Sequence, residues 1–153
     1  VLSTIHTGSA LQALTRLVDM GVERFVVAPS IIGVLGQRLV RRLCDHCKKE
    51  MQPDPDFLRQ YFHWSGGTAL PKLYEPIGCL HCNDIGYAGR MGIHEFLEVD
   101  PTIRDAILDG KEYHEVKVIA RQRGFKDLRY DGFRKALLGL TTLDEVIRVT
   151  QET

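Results

Sequence analysis

The four cysteines of this chain are its most specific chemical feature, because they form two matched pairs. Cys44 and Cys47 are the first and last residues of the tetrapeptide CDHC, and Cys79 and Cys82 are those of CLHC. Two C-x-x-C pairs indicate either two disulfides in an oxidising compartment or one tetrahedral metal site in a reducing one. We favour one structural zinc ion held by all four thiolates, because zinc accepts tetrahedral sulfur ligands and has no redox chemistry.

Other chemistries fit these cysteines less well. A thioredoxin-like redox pair needs one C-x-x-C at a strand–helix junction, not two pairs. An iron–sulfur centre is an alternative that we favour less than zinc. His46 and His81 lie inside the pairs, but four sulfurs already saturate zinc, so we expect both to be solvated loop side chains. A closed site leaves no position for water, and we expect no metal catalysis.

His6 is a second candidate for chemistry, because it follows a predicted strand. Residues 1–5 are a short apolar run with β-branched side chains, which predicts a buried strand. In open α/β sheets, ligands bind beyond the carboxyl ends of strands. A histidine at that place can contact a phosphate or orient a water molecule, or it can fill or cap the core.

The residues after His6 predict a mixture of helix and strand. Ser9 opens a helix, with a glutamine at capping-box spacing and a glycine just past its end. Residues 23–28 indicate a connector or short strand, and Pro29 is typical of the first position of a second helix. Residues 38–43 predict a strand leading into the first cysteine pair, so this part of the chain is of the α/β class.

The rest of the chain predicts a metal-dependent segment and then a helical region. Residues 44–88 are rich in proline and glycine and have little core of their own, apart from one short helix predicted in PDFLRQYFHW. RMGIHEFLEV alternates as a strand, and Asp100 before a proline marks a helix start. Further helices follow, and Thr142 with Glu145 forms a capping box that opens the last one.

Composition and missing motifs exclude several functions. Twenty basic residues balance twenty acidic ones, so no net positive charge favours nucleic acid or an anionic membrane surface. No apolar run approaches the roughly 18 residues of a membrane span. The sequence has no G-x-x-x-x-G-K-[ST] phosphate loop, no G-x-G-x-x-G and no G-x-S-x-G, so it holds no complete active site.

Taken together, the motifs resemble the C-terminal part of the ATPases of type II secretion and type IV pilus assembly, within the secretion ATPase superfamily. The resemblance runs through four stretches, which are STIHTGSALQALTRLVDMGVERF, VLGQRLVRRLCDHC, CLHCNDIGYAGRMGIHEFLEVD and DGFRKALLGLTTLDEVIRVT. It implies a RecA-like P-loop NTPase core whose Walker A, Asp-box and Walker B motifs lie upstream of Val1. We therefore expect the chain to be a fragment that hydrolyses no ATP by itself.

The resemblance also implies a division of the chain into three parts. Residues 1–43 would end the RecA-like core, residues 44–88 would form a tetracysteine zinc-binding subdomain, and residues 89–153 would add a returning strand and a small helical C-terminal subdomain. The tetracysteine motif is absent from the subfamily dedicated to pilus retraction. Its presence implies an assembly or secretion motor.

Single residues receive roles from the same resemblance. His6 matches the histidine of the family's T-x-H-T-N box and would act in catalysis near the γ-phosphate, although Gly8 stands where asparagine is common. Arg90, in GRMGIHE, matches an arginine near the bound nucleotide or the subunit boundary, and its fixed fork would neutralise phosphate charge. The alternative for Arg90 is a salt bridge with a carboxylate such as that of Glu95.

For the intact protein the resemblance implies a cytoplasmic homo-hexamer that uses ATP and Mg²⁺ and keeps zinc as a structural ion. It would be peripheral at the inner membrane through a platform protein and associated secretion or pilus components, with no nucleic acid partner and no span of its own. Arg16 and Arg38 lie in family-like segments and are candidates for subunit contacts. A function of a different class stays open, namely a stand-alone zinc-binding module for protein interaction without nucleotide chemistry.

Overall fold

The computed structural model describes residues 1–54, 56 and 71–151, and these form a mixed α/β structure. Contacts divide the described residues into two units, each built from separate stretches of chain. Unit 1 combines Val1–Arg38 with Ile93–Asp131, and unit 2 combines Leu39–Gly92 with Gly132–Gln151. The class agrees with the α/β prediction. The RecA-like core and the division at residues 43 and 88 stay predictions.

Six helices, four strands and one 3-10 turn make up the described part. In chain order they are α1 (Ala10–Asp19), α2 (Arg24–Ser30), β1 (Gly33–Leu43), β2 (Lys49–Met51), β3 (Leu73–Glu75), the 3-10 turn (Leu80–Cys82), β4 (Tyr87–Glu98), α3 (Pro101–Leu108), α4 (Tyr113–Gln122), α5 (Leu128–Leu137) and α6 (Leu143–Thr150). Strands β1 and β4 pair with each other, and β2 pairs antiparallel with β3. No described helix combines the length and the apolar character needed to cross a lipid bilayer.

The core of unit 1 forms where helices α1 to α4 pack together. Helix α2 packs against α3, and α1 packs against both α2 and α4. In the second half of β4, which lies in unit 1, Ile93, Glu95 and Leu97 are buried while the residues between them are exposed. The buried members of this cluster are Ala10, Leu11, Leu14, Ala28, Leu97, Val99, Ile103, Ala106, Ile107, Val116 and Ala120.

Capping residues fix the ends of the helices as their sequence predicts. The Ser9 side chain accepts the N–H of the residue at the third helical position of α1 at 3.2 Å. Asp100 accepts the N–H of Ile103 at 2.9 Å, with a proline at the first position of α3. The Thr142 hydroxyl accepts the N–H of Glu145 at 3.2 Å at the start of α6. Each cap satisfies one of the N–H groups that a helix leaves without an internal partner.

Three sequence-based predictions for the first forty residues are wrong. Residues 23–28, predicted as a connector or short strand, belong mostly to helix α2, which buries Val27 and Ala28, and such tertiary packing outweighs local β propensity. Residues 1–7 form neither strand nor helix, and Val1 is fully exposed. A strand needs a neighbour for its N–H and C=O groups, and no described residue pairs with residues 1–5. Pro29 does not open a helix but lies near the end of α2, a helix of seven residues. The cost there is small, because the missing N–H removes only one bond at the end of a short helix.

The core of unit 2 joins β3 to helices α5 and α6. Its buried residues are Leu73, Phe133, Ala136, Leu143 and Val146. The two helices approach closely at Gly132, where an added Cβ would collide with the Val146 side chain. The predicted helix in PDFLRQYFHW lies outside the described residues except for Asp56.

A buried carboxylate ties the middle of the chain to the last helix of unit 2. The Glu145 side chain is fully buried and accepts hydrogen bonds from the Arg41 backbone N–H at 3.0 Å and from the Arg41 guanidinium at 2.8 and 3.0 Å. Arg148 donates to both of its oxygens at 2.7 and 3.0 Å. Burial opposes the charge, but the two guanidinium groups prevail and lower the pKa of Glu145 to about 2.

Glu145→Gln is expected to destabilise the chain by roughly 3 kcal/mol at pH 7, because it leaves two arginines without their anion. The folded pKa is depressed, so the stabilisation is complete above the ordinary value near 4.5 and is lost as the pH falls from 4.5 towards 2. Urea unfolding of both proteins at pH 7 and pH 3 measures the difference, and acid effects common to both cancel.

Asp144→Asn is the matched control for this experiment, since Asp144 is the exposed neighbour of Glu145 on the same helix. We expect it to cost less than about 1 kcal/mol. An equal loss in the two variants, or a Glu145→Gln deficit that does not shrink in acid, would contradict the electrostatic account.

Candidate metal centre

The four cysteine sulfurs meet at one point in unit 2. All four Sγ atoms lie within 4.8 Å of one another, although the two pairs are more than thirty residues apart. The Sγ–Sγ distance is 3.9 Å from Cys44 to Cys79, 3.8 Å from Cys47 to Cys82 and 3.8 Å from Cys79 to Cys82. The predicted convergence of the pairs is therefore confirmed.

These distances fit one tetrahedral metal ion. A regular tetrahedron with metal–sulfur bonds of about 2.3 Å has sulfur–sulfur edges of about 3.8 Å, which is the zinc–thiolate geometry. The three distances above differ from that edge by about 0.1 Å or less, whereas a disulfide bond would bring two sulfurs to about 2.0 Å. All four cysteines are free thiols. The donor set suits zinc, and all four vertices are occupied by protein atoms.

Backbone turns place the two sulfurs of each pair on one side of the chain. In the first pair, the N–H groups of Cys47 and Lys48 donate to the carbonyl of Cys44 at 3.3 and 3.0 Å. In the second pair, the N–H of Cys82 donates to the carbonyl of Cys79 at 3.0 Å. The same local turn thus occurs twice, which explains why both pairs have two residues between the cysteines.

The second turn is sharp and needs a glycine before it. Gly78 has φ 103°, and a Cβ there would lie 2.6 Å from the carbonyl oxygen of Asp84. After the 3-10 turn, Asn83 and Asp84 both have left-handed backbone conformations with φ 51° and 60°. Asparagine and aspartate tolerate that region better than other non-glycine residues.

Backbone N–H groups surround the sulfurs and tune their acidity. The Cys82 sulfur accepts the N–H of Gly86 at 3.2 Å and that of Cys79 at 3.3 Å, and the Cys47 sulfur accepts the N–H of Gly78 at 3.3 Å. Burial raises the pKa of Cys47 to about 12. Burial also disfavours the Cys82 thiolate, but the N–H donors and neighbouring thiols outweigh it and lower that pKa to about 7. Since the thiolate is the form that binds a metal, Cys82 offers a ligand near neutral pH.

The two histidines inside the pairs stack on each other instead of joining the sulfur cluster. Both His46 and His81 are exposed, and their ring centroids are 4.0 Å apart with planes 18° from parallel. The expectation that they are solvated side chains agrees with this arrangement. Among the residues that the structure describes, the group able to hold a metal consists of the cysteines alone.

The segment that contains His6 lies in unit 1 and is held at its C-terminal side. His6 itself is exposed. The Thr7 hydroxyl donates to the carbonyl of Ser9 at 3.0 Å, and the Arg38 guanidinium donates to the carbonyl of Gly8 at 3.2 Å. Arg38 therefore has a structural contact within unit 1 that the sequence did not indicate. The catalytic role of His6 stays a prediction.

Arg90 is exposed on the first half of strand β4, which lies in unit 2. Glu95 lies on the second half of the same strand, which belongs to unit 1. Both oxygens of Glu95 accept backbone N–H groups, those of Ala10 and Leu128. Both donors to Glu95 thus come from its own unit, and the alternative of an Arg90–Glu95 salt bridge stays a prediction. A nucleotide-binding role for Arg90 stays a prediction, as does a subunit contact for the exposed Arg16.

Sequence reasoning did not single out the two buried glutamates. Glu145 was recognised only as part of a helix cap. Glu95 was considered only as a partner for Arg90, although it has the same strand parity as the buried Ile93 and Leu97. A carboxylate at an inward position of an alternating strand is the signal that finds such a residue, because a buried charge must have specific donors.

Residues 1–148 match the model of the family described as Type II/IV secretion system protein. The chain belongs to this family. It is 51% identical over 152 residues to the type IV pilus assembly ATPase PilB of Thermus thermophilus, a match that covers 99% of this chain and 17% of that protein. It is 49% identical to type II secretion system protein E of Dickeya dadantii, covering 99% of this chain and 30% of the relative. The PilB protein of Pseudomonas aeruginosa is 43% identical, with 99% and 27% covered.

The chain thus spans less than a third of the length of these family members. The recognition made from the four sequence stretches is confirmed at the level of the family.

Zinc content tests the metal centre directly. We expect the chain, purified without chelators, to contain one zinc ion and to show no thiol accessible to a thiol reagent until a chelator or denaturant is added. Cys82→Ser should weaken zinc binding by roughly 100-fold or more, because a hydroxyl replaces a thiolate ligand. Elemental analysis and competition with a coloured zinc chelator measure both quantities.

His46→Ala is the matched control, since it lies between two cysteines and outside the sulfur cluster. It should keep one zinc ion with unchanged affinity. A chain without metal that shows four reactive thiols, or equal losses in the serine and alanine variants, would rule out the four-sulfur site.

Proposed function

We propose that this chain is the C-terminal part of a hexameric cytoplasmic ATPase that powers type II secretion or type IV pilus assembly. The observation that carries the proposal is the family membership, with identities of 41% to 51% over nearly the whole chain to proteins named as pilus assembly ATPases and type II secretion proteins. These matches cover 97% to 100% of the chain.

In this proposal the metal centre is structural. Cys44, Cys47, Cys79 and Cys82 would hold one zinc ion whose role is to bind segments of unit 2 that have few apolar contacts of their own. The ion supplies no chemistry to the reaction, since all four positions around it are taken by sulfur. The protein would lose order around the two turns when the metal is removed.

The nucleotide chemistry would require residues from the rest of the polypeptide. The 153 residues contain no phosphate loop, so ATP and Mg²⁺ would be bound mainly by a RecA-like core upstream. His6 would contribute a catalytic side chain near the γ-phosphate, and Arg90 would contact the nucleotide with its guanidinium group. Both side chains are exposed, which is compatible with a contact to another part of the protein or to another subunit.

The proposed partners follow from the secretion and pilus machinery in which the named relatives take part. The intact protein would form a homo-hexamer at the inner membrane and pass the motion of hydrolysis to a platform protein and associated components. Neither a nucleic acid partner nor a membrane span is part of the proposal. A stand-alone zinc-binding interaction module is the competing function, and a phosphate loop in the sequence upstream of Val1 would decide against it.

Two proteins separate these functions, namely the 153-residue chain and a full-length polypeptide that includes the upstream sequence. We expect the short chain to hydrolyse no ATP and the full-length polypeptide to hydrolyse ATP with multiple turnovers. In the long protein, His6→Ala and Arg90→Ala should each lower kcat by about 100-fold or more, because each removes a group that acts on the transferring phosphate. Phosphate release under steady-state conditions measures these rates.

Matched controls are His114→Ala and Arg134→Ala, which alter an exposed histidine and an exposed arginine on helices α4 and α5. Both should keep kcat within about twofold, as expected for surface substitutions away from a site. Turnover by the short chain above that of its own Cys82→Ser variant would overturn the predicted inactivity. Full activity in the His6→Ala protein would remove His6 from the mechanism.

A further inference from the structure

Glu95 is a buried carboxylate that the proposed function has not used. It lies on the inward face of β4 with only 3% of its surface exposed. One carboxylate oxygen accepts the backbone N–H of Ala10, and the other accepts the N–H of Leu128 at 3.0 Å. Ala10 is the first residue of α1 and Leu128 the first residue of α5. A single side chain therefore satisfies the leading N–H of two helices from distant parts of the sequence.

The surrounding chain makes room for this carboxylate. Gly36 faces it from strand β1, and a Cβ at that position would lie 2.8 Å from both Cγ and Oε1 of Glu95. Such a contact is too short for real atoms, so any larger residue at position 36 would displace the carboxylate. Burial makes the charge of Glu95 costly and thereby raises its pKa, while the two backbone donors act in the opposite direction. The arrangement thus combines a glycine on β1, a glutamate on β4 and the first residues of α1 and α5.

This arrangement fixes the point at which the His6 segment joins helix α1. Ala10 follows His6 by four residues, and its N–H is held by Glu95. The segment is also held by Arg38, which donates to the carbonyl of Gly8. His6 lies just beyond these contacts and is exposed, so its position depends on the residues that anchor the chain behind it.

We propose that Glu95 is a positioning residue that sets the place of the His6 segment and couples this segment to helix α5. The inference rests on the proposed function, because it assumes that His6 acts on the nucleotide. When the His6 segment shifts, the start of α1 moves with it and displaces the carboxylate. The same carboxylate holds the first N–H of α5, so the start of that helix responds.

A double-mutant cycle in the full-length protein tests the positioning role. Glu95→Gln keeps the size of the side chain but replaces one acceptor oxygen by an N–H₂ group that cannot accept, so one of the two bonds is lost. We expect kcat to fall by about tenfold while KM for ATP stays within about threefold, since an orienting contact acts on the reaction more than on binding. In a His6→Ala background, Glu95→Gln should cause no further loss, because the two residues act through one step.

Hydrogen exchange in the same full-length proteins tests the coupling to α5. Upon addition of a non-hydrolysable ATP analogue, peptides covering residues 6–14 and 126–132 should change protection together in the unaltered protein. In Glu95→Gln the second peptide should no longer respond. Ala10→Pro provides a second variant should Glu95→Gln fold poorly, because proline is tolerated at a first helical position and puts a ring carbon in place of the N–H that donates to Glu95.

Glu98→Gln is the matched control, since Glu98 is exposed on the opposite face of the same strand. It should leave kcat, KM and exchange unchanged. The proposal would be overturned if Glu95→Gln lowered kcat by the same factor in the unaltered protein and in the His6→Ala protein. It would also be overturned if Glu95→Gln left kcat unchanged although His6→Ala lowers it.

Failure of the proposed function is seen separately, as a full-length protein without turnover or a His6→Ala variant with full activity. In that case, the hydrogen-exchange measurement alone tests the proposed coupling through Glu95. The coupling stands if the two peptides respond together and separate in Glu95→Gln, and it is overturned if residues 126–132 respond equally in both proteins.

Discussion

Each unit of this structure is organised around one glutamate that is withdrawn from water. A buried carboxylate is tolerated only when donors replace its hydration, and the two units meet this requirement differently. In unit 1, Glu95 receives two backbone N–H groups, so the charge is compensated by peptide dipoles at two helix starts. In unit 2, Glu145 receives two guanidinium groups, and its pKa falls to about 2. The same chemical group thus has a raised pKa in one unit and a lowered one in the other.

The tetracysteine centre imposes a second constraint, which acts on the backbone. Two turns of the same kind must present four sulfurs at the corners of one tetrahedron, and the observed distances of 3.8 and 3.9 Å satisfy that geometry. The second turn requires a glycine with φ 103° and two consecutive left-handed residues. In this way, a segment with little apolar surface of its own can be held together by the site that its four cysteines form.

Local features of the chain were predictable because they depend on neighbouring residues. The caps at Ser9, Asp100 and Thr142 are present as the sequence indicates, and the alternating strand before Asp100 is present as well. The predicted strand at residues 1–5 is absent from this part of the structure, since β propensity alone supplies no partner strand. Pro29 was assigned to a helix start because proline favours that position, yet α2 accommodates it near its end.

The sequence by itself determined the grouping of the four cysteines, the family and most of the helix boundaries. Cysteine spacing and capping residues act over two to four positions, a distance at which the chemistry of the side chain decides the local geometry. Only the tertiary structure decided the roles of the buried glutamates. The donors to Glu95 come from residues 85 and 33 positions away, and Glu145 binds an arginine 104 positions away. The sequence does not distinguish a solvated carboxylate from a buried one. The energetics of a buried carboxylate depend on donors that only the folded chain brings to it.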